Sequence, residues 1–499
     1  MANQLPSVQH IVQLMLENRS FDHMLGFLYA PGNVSPTGQP FEGLTGNESN
    51  ADASGNKVTV YQIDTTTSGA YFMPGADPGE GYANTNQQLF GTGNPPSPPV
   101  ATNTGFVTNF ADAISYDQRS GRSVQAGTTA SQIMGMFTPA GLPVLSSLAA
   151  GFAVCDHWYS SAPTETFPNR AFACAATSQG HMNDGAASYT VQSIFGLMTA
   201  HNLSWKIYGY NAEPLTRKNF PDTTSAPDSC FGKFTDFQSD AAAGTLPNYS
   251  FLEPSWGSKG NSQHPNYDVS LGEQLIQQVY NALRGGPGWA QTLLFITYDE
   301  HGGLYDHVPP PSGATPPDSS QGEFGFDFTR FGVRVPAVLV SPLIAAGTVY
   351  RAPGGGPPHD HTSLLATVEK RWGLGHLTQR DAAAPDLGSV LTLAQPRTDD
   401  PLAEVQPPAD VPVTTPAGAV MHLDDAPSHI EAVYASRAAK LPIPATAGVM
   451  PAEAVNTLAT AAQHTDYIES RLEAWNNLKT TAAAGRPGAP SPEPAGGSA

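Results

Sequence analysis

The sequence predicts an α/β protein built on a mostly parallel sheet. Three observations carry that expectation: apolar runs that stop abruptly in acidic residues, helical periodicity between them, and the repeated alternation of the two.

The first run is His10-Ile11-Val12-Gln13-Leu14-Met15-Leu16, which reads as a buried strand. It breaks at Glu17-Asn18-Arg19-Ser20, and Phe21-Asp22-His23-Met24-Leu25 then reads as a helix. Residues 31–105 are rich in Gly, Pro, Asn and Thr and lack a long period, so they read as an extended insertion over the sheet edge or the site. Residues 145–155 hold a short helix and a strand, 193–201 a helix, and 204–208 a strand. From Asp268, Leu271, Leu275, Val279 and Leu283 recur at helical spacing. Residues 292–298 form the second strong run and end in Asp299-Glu300; 335–340 form a third, and 362–372 a helix. Polar residues at the carboxyl ends of buried strands stand where open α/β sheets place their ligands.

Past about residue 390 the character changes. These features divide the chain into a catalytic domain at 1–393, which includes the insertion, and a Pro-rich connection with helical segments at 394–479. A tail at 480–499, mostly Ala, Gly, Pro and Ser, reads as disordered.

Gly and Pro, 49 and 46 residues, make up nearly a fifth of the 499, which implies many ordered loops. The formal net charge of -20 repels phosphate backbones at long range, so nucleic acid is not an expected partner. A small phosphorylated substrate stays compatible, because one bound divalent cation reverses the local sign. The three cysteines, Cys155, Cys174 and Cys230, do not make a disulfide framework, although one bridge stays open. Residues 1–9 lack the basic start and apolar run of a secretory signal. No apolar run is long enough to span a bilayer: the longest, 335–350, is interrupted by Pro336 and Pro342. Nothing in the sequence sets the oligomeric state.

The two strand ends deliver Glu17 and Asn18, then Asp299 and Glu300. Neighbouring carboxylates repel unless a cation sits among them. Either pair alone also reads as a helix cap or a solvated loop, but both at ends of apolar strands favour a metal site. These hard oxygen donors suit one divalent ion: calcium, magnesium, manganese, zinc or iron. In Pro163-Thr164-Glu165-Thr166-Phe167-Pro168-Asn169-Arg170, the Thr166 hydroxyl would stand at a helix N-terminus, where phosphate is welcome. A metal-bound hydroxyl there becomes a nucleophile; taken alone, the segment reads first as a plain threonine cap. His264, His301, His307, His359 and His361 lie beside loops and helix starts and supply candidates for proton transfer. His376 and His422 fall outside these motifs and read as bystanders.

Six stretches resemble the bacterial phosphoesterase family that contains the non-haemolytic phospholipases C and a group of acid phosphatases. They are residues 10–27, with Glu-Asn-Arg-Ser-Phe-Asp at its centre, then 161–170, 264–271, 298–310, 334–342 and 360–373. They occur in the family's order. The resemblance implies a core similar to alkaline phosphatase, with a central sheet between helical layers. It implies that Glu17, Asn18, Thr166, Asp299 and Glu300 hold the metal and that Thr166 is the nucleophile. Asn18 and His264 would hold phosphate oxygens or assist the leaving group, and His307 and His361 lie in matching motifs. Glu80 stands in Asp77-Pro78-Gly79-Glu80-Gly81-Tyr82, where many relatives carry a histidine, and becomes a candidate for the leaving-group acid. The expected activity is hydrolysis of phosphate esters through a phospho-threonine, of the phospholipase C type on phospholipids or their head-group esters. A broad acid phosphatase is the alternative, and a non-catalytic phosphate-binding protein a further one. The family also implies a secreted or periplasmic enzyme.

Overall fold

A computed structural model describes residues 3–409, 427 and 429–484, apart from 123, 186–188, 212 and 258–259. Most of the expected tail, and much of the Pro-rich connection, lie outside the described residues.

The centre is an eight-stranded sheet. Its strands in chain order are β1 (His10–Leu16), β2 (Ala153–Val154), β3 (Trp205–Gly209), β4 (Phe231–Lys233), β5 (Tyr249–Glu253), β6 (Thr292–Tyr298), β7 (Ala337–Val340) and β8 (Thr348–Val349). Across the sheet they run β8-β2-β7-β6-β1-β5-β3-β4. The expectation of a mostly parallel sheet holds: β6, β1, β5, β3 and β4 pair in parallel. Strand β7 runs antiparallel to both of its neighbours.

Every residue of β5 and β6, and all but the first of β1, is buried. Both faces of the sheet are therefore covered, which is why these strands are continuously apolar rather than alternating. Helices Pro143–Gly151, Phe234–Ala243 and Val269–Gly285 pack together, as do Thr166–Ala175, Ile194–Ala200 and Thr362–Trp372. Asp268 caps the long helix by accepting from the Ser270 amide at 2.9 Å.

The stretch 31–105 is loop-rich and also carries packed elements of its own. It contributes the helix Tyr82–Phe90 and short strands, and it buries Leu44, Val60, Ala76 and Leu89 against Phe106, Phe110 and Met134. Its apolar residues are too far apart to show a period, yet together they make a second core. The three cysteines are all free. No helix among the described residues is long and apolar enough to cross a membrane.

Candidate active site

The register of the two central strands makes the site. Leu16 pairs with Tyr298, so Glu17 and Asp299 leave the sheet side by side. The chain then turns sharply at both tips. Asn18 takes φ 57°, and Gly302 takes φ 62° because a Cβ there would lie 2.0 Å from the Asn18 carbonyl oxygen. The two loops are thereby locked against each other.

Asp299 is the keystone of this junction. Its Oδ1 accepts from the amides of Asn18 (2.9 Å) and Glu300 (2.8 Å), and its Oδ2 accepts from Arg170 Nε at 2.8 Å. Arg170 also donates to the Met15 and Leu16 carbonyls at 3.2 and 2.9 Å and lies over the Trp256 ring. One guanidinium thus joins the helix Thr166–Ala175 to the tips of β1 and β6. His361 donates from Nε2 to the Asp299 carbonyl at 2.5 Å and accepts at Nδ1 from Trp158 Nε1 at 3.3 Å.

Thr166 is the first residue of its helix and is fully buried. Its hydroxyl donates to Asn18 Oδ1 at 3.0 Å, and Asn18 Nδ2 donates to Glu80 Oε2. Thr166, Asn18 and Glu80 therefore form one chain of hydrogen bonds. His264 enters from the loop that follows β5. That loop is held by Arg19, which donates to the Gln263 carbonyl at 2.5 Å and the His264 carbonyl at 3.0 Å, and by the Glu17 amide bonding to Ser262 O. His264 Nδ1 lies 2.9 Å from the Pro265 carbonyl. A carbonyl only accepts, so Nδ1 carries the hydrogen, and Nε2 points at Asp77 Oδ1 4.0 Å away.

The electrostatics suit a cation. Among the described residues, Glu17 Oε2, Glu300 Oε1, Asp77 Oδ1 and His264 Nε2 are buried without a hydrogen bond. Burial raises Glu17, and Asp299 adds to the rise against His264 and Arg170. Burial and Asp299 push Glu300 well up; burial, Asp77 and Glu300 do the same to Glu80. Asp77, Glu80 and His264 bring one ligand atom each to within 4.8 Å of one another, a spacing that suits a metal ion.

The structure thus brings Glu17, Asn18, Glu80, Thr166, His264, Asp299 and Glu300 into one neighbourhood of linked contacts. It places two other candidates differently. His307 bonds to Asp22 Oδ2 at 2.7 Å in a network with Arg334 and Asp306. His361 supports the Asp299 backbone from behind. Sequence reasoning passed over Asp77, Arg170 and Tyr434. Tyr434 lies on the helix His429–Ala439, packs against Phe167 and Trp256, and donates to Glu17 Oε1 at 2.7 Å. Arg170 stood inside a quoted motif, but no periodicity connects Tyr434 to residue 17. A cavity of about 460 Å³ is lined by Asp77, Glu80, Glu165, Tyr116, Arg119 and Arg122.

Non-specific phospholipase C6 of Arabidopsis thaliana is 36% identical over 427 residues, covering 80% of this chain and 76% of that protein. Phospholipase C A of Mycobacterium tuberculosis is 27% identical over 441 residues, covering 79% of this chain and 78% of that protein. A protein in the alkaline phosphatase superfamily from Vibrio parahaemolyticus superposes on 49% of this chain and 64% of its own, at 12% identity and a TM-score of 0.31. Residues 8–375, which carry every strand tip described above, match the Phosphoesterase family, so the chain belongs to that family and is a hydrolase of phosphoric esters.

Proposed function

We propose that the chain cleaves phospholipids in the phospholipase C manner, through a phosphoryl group carried on Thr166 and with the help of one divalent cation. The observation that carries this reading is the Thr166 hydroxyl, fixed on Asn18 Oδ1 at a helix N-terminus beside buried carboxylate oxygens that lack partners. Two of the relatives are named phospholipases C, which favours a phosphodiester substrate.

The donors fit a hard or borderline ion: Glu17, Asn18, Asp299 and Glu300, with Thr166, would hold it, and Asp77, Glu80 and His264 form the adjoining wall. When bound, a divalent cation neutralises phosphate charge and favours the ionised hydroxyl. The chain's own groups do the rest. Thr166 Oγ, its position set by Asn18, releases its proton to solvent and attacks phosphorus, and the bond from phosphorus to the alcohol oxygen breaks. His264 Nε2 gives a proton to the departing alcohol, while Nδ1–H stays anchored on Pro265. His264 then takes a proton from water, whose oxygen attacks the phospho-threonine. Thr166 leaves and regains the proton it lost, so two inversions retain the configuration at phosphorus.

Thr166→Ala should abolish turnover of phosphatidylcholine with the fold unchanged, and acid quenching of the native enzyme should trap the phosphocholine head group on Thr166. Near-native turnover in the variant would overturn the covalent route. Preference for a simple phosphomonoester over phosphatidylcholine would move the assignment to the acid-phosphatase alternative.

A further inference from the structure

A second group of acidic and imidazole side chains lies on the helix Thr362–Trp372 and the turn beyond it, apart from the residues gathered around Thr166. Glu369 is on the last turn of that helix, His376 is in the connecting turn, and Asp381 is on the short helix Gln379–Ala383. One ligand atom from each falls within 4.8 Å of the other two. We propose that Glu369, His376 and Asp381 form a second divalent-cation site that fastens these two helices together.

The decisive observation is Glu369. Its side chain is 1% exposed, and Oε1 has no hydrogen bond among the described residues although the residue lines a cavity of about 330 Å³ with His376 and Asp381. The other oxygen, Oε2, meets His376 Nδ1 at 2.8 Å. Asp381 stands beside it as a second carboxylate, with its own oxygens accepting from the Leu377 amide and from the Thr378 amide and hydroxyl, each at 2.7 Å. Those donors fix the Asp381 carboxylate in place and still leave lone pairs facing Glu369. The nearby ammonium, Lys370, is spent on Asp386 at 2.6 Å. Burial, then Asp381, pushes Glu369 up to about 10. A buried carboxylate in that position takes up either a proton or a cation, and the open oxygen beside Asp381 and His376 gives a cation its place.

One imidazole and two carboxylates are the donor set of a borderline metal such as Zn²⁺ or Mn²⁺, with solvent completing the shell on the His376 side, which is half exposed. The ion would hold Gln379–Ala383 against its neighbour. Arg380 of that helix donates to Asp360 and to the Ser161 carbonyl, each at 2.9 Å, so this segment stays anchored without the ion.

The test uses the full chain, stripped with chelator and reloaded with Zn²⁺ alone. Elemental analysis should find one ion fewer per chain in His376→Ala and in Glu369→Gln than in the native protein, with phosphate-ester hydrolysis unchanged. The Zn²⁺-induced rise in melting temperature should shrink in both. Glu17→Gln, which alters the other site, should keep the ion that these two lose. His376 is half exposed, so its replacement leaves the fold intact and the comparison readable. Equal ion counts and equal thermal shifts in the native protein, His376→Ala and Glu369→Gln would overturn the proposal.

Discussion

Tyr434 donates its hydroxyl hydrogen to Glu17 Oε1 across 2.7 Å, joining two residues 417 positions apart. The contact is fully buried, and the tyrosine ring is wedged between Trp256 and Phe167, the residue next to Thr166. The helix His429–Ala439 therefore forms one wall of the site. Its hydroxyl sets which oxygen of Glu17 remains for a ligand. Tyr434→Phe keeps the ring packing and removes only the bond. Support of this kind behind a metal ligand is worth roughly 10–100-fold in affinity or turnover. Metal titration and kcat measured together should show both falling in the variant while its melting temperature stays close to native.

Arg170 presents the opposite case, a group whose loss should be felt first in stability. Its guanidinium satisfies Asp299 and two strand carbonyls at once, and both partners of the ion pair are almost wholly buried. Arg170→Met fills similar volume but strands the Asp299 carboxylate. Leaving one buried charge unpaired costs about 3–5 kcal/mol. Urea denaturation should show a loss of that size, and hydrolysis should fall because the tips of β1 and β6 are no longer tied to the Thr166 helix.

The contrast between these two residues shows what the sequence could reveal. The tips of β1 and β6 were legible because a fully buried strand is a continuous apolar run and its end is marked by charge. Their meeting follows from two parallel strands paired side by side. The antiparallel direction of β7 was not legible, since an apolar run carries no polarity of its own. Strands of two or three residues, such as Phe231–Lys233 and Thr348–Val349, are too short to show a period. Asp77 and Tyr434 were missed for a further reason: each reaches the site through packing between distant segments. His376 read as a bystander because its partners, Glu369 and Asp381, belong to a helix end and a helix start that only the folded chain brings together.

His307 offers a pH-dependent test. Burial alone would lower its pKa, but the charge of Asp22 and the hydrogen bond to it prevail, and the value is raised above 6.5. The stabilisation from charged His307 is therefore complete below 6.5 and is lost as pH rises through the higher folded value. Asp22 moves the other way: burial opposes ionisation, but His307 and Arg334 bring it below 3.8, so its contribution fades only as pH falls through that lower value. His307→Gln should then cost about 1–3 kcal/mol near pH 5–6 and much less at pH 9. Asp306, pushed up to about 6 by burial against the pull of Arg334, titrates in both proteins and drops out of the difference to first order. Denaturation curves across this range check the sign; a cost that grows with pH would refute it.

His361 should behave in the reverse sense. Its Nε2–H is spent on the Asp299 carbonyl and its Nδ1 accepts from Trp158, so the neutral ring is the form that fits, and burial lowers its pKa below 6.5. An unfolded chain binds a proton here before the folded one does. Stability from this residue is therefore intact above pH 6.5 and declines as pH falls below it. His361→Gln can still donate to the Asp299 carbonyl but does not titrate. Its melting temperature should fall less than the native one between pH 6.5 and 5, although it starts lower at neutral pH. Both limbs of the pH–rate profile should stay in place, because a ring fully committed on both nitrogens has no proton to offer a leaving group. Loss of the basic limb in this variant would instead make His361 the acid and relieve His264 of that role.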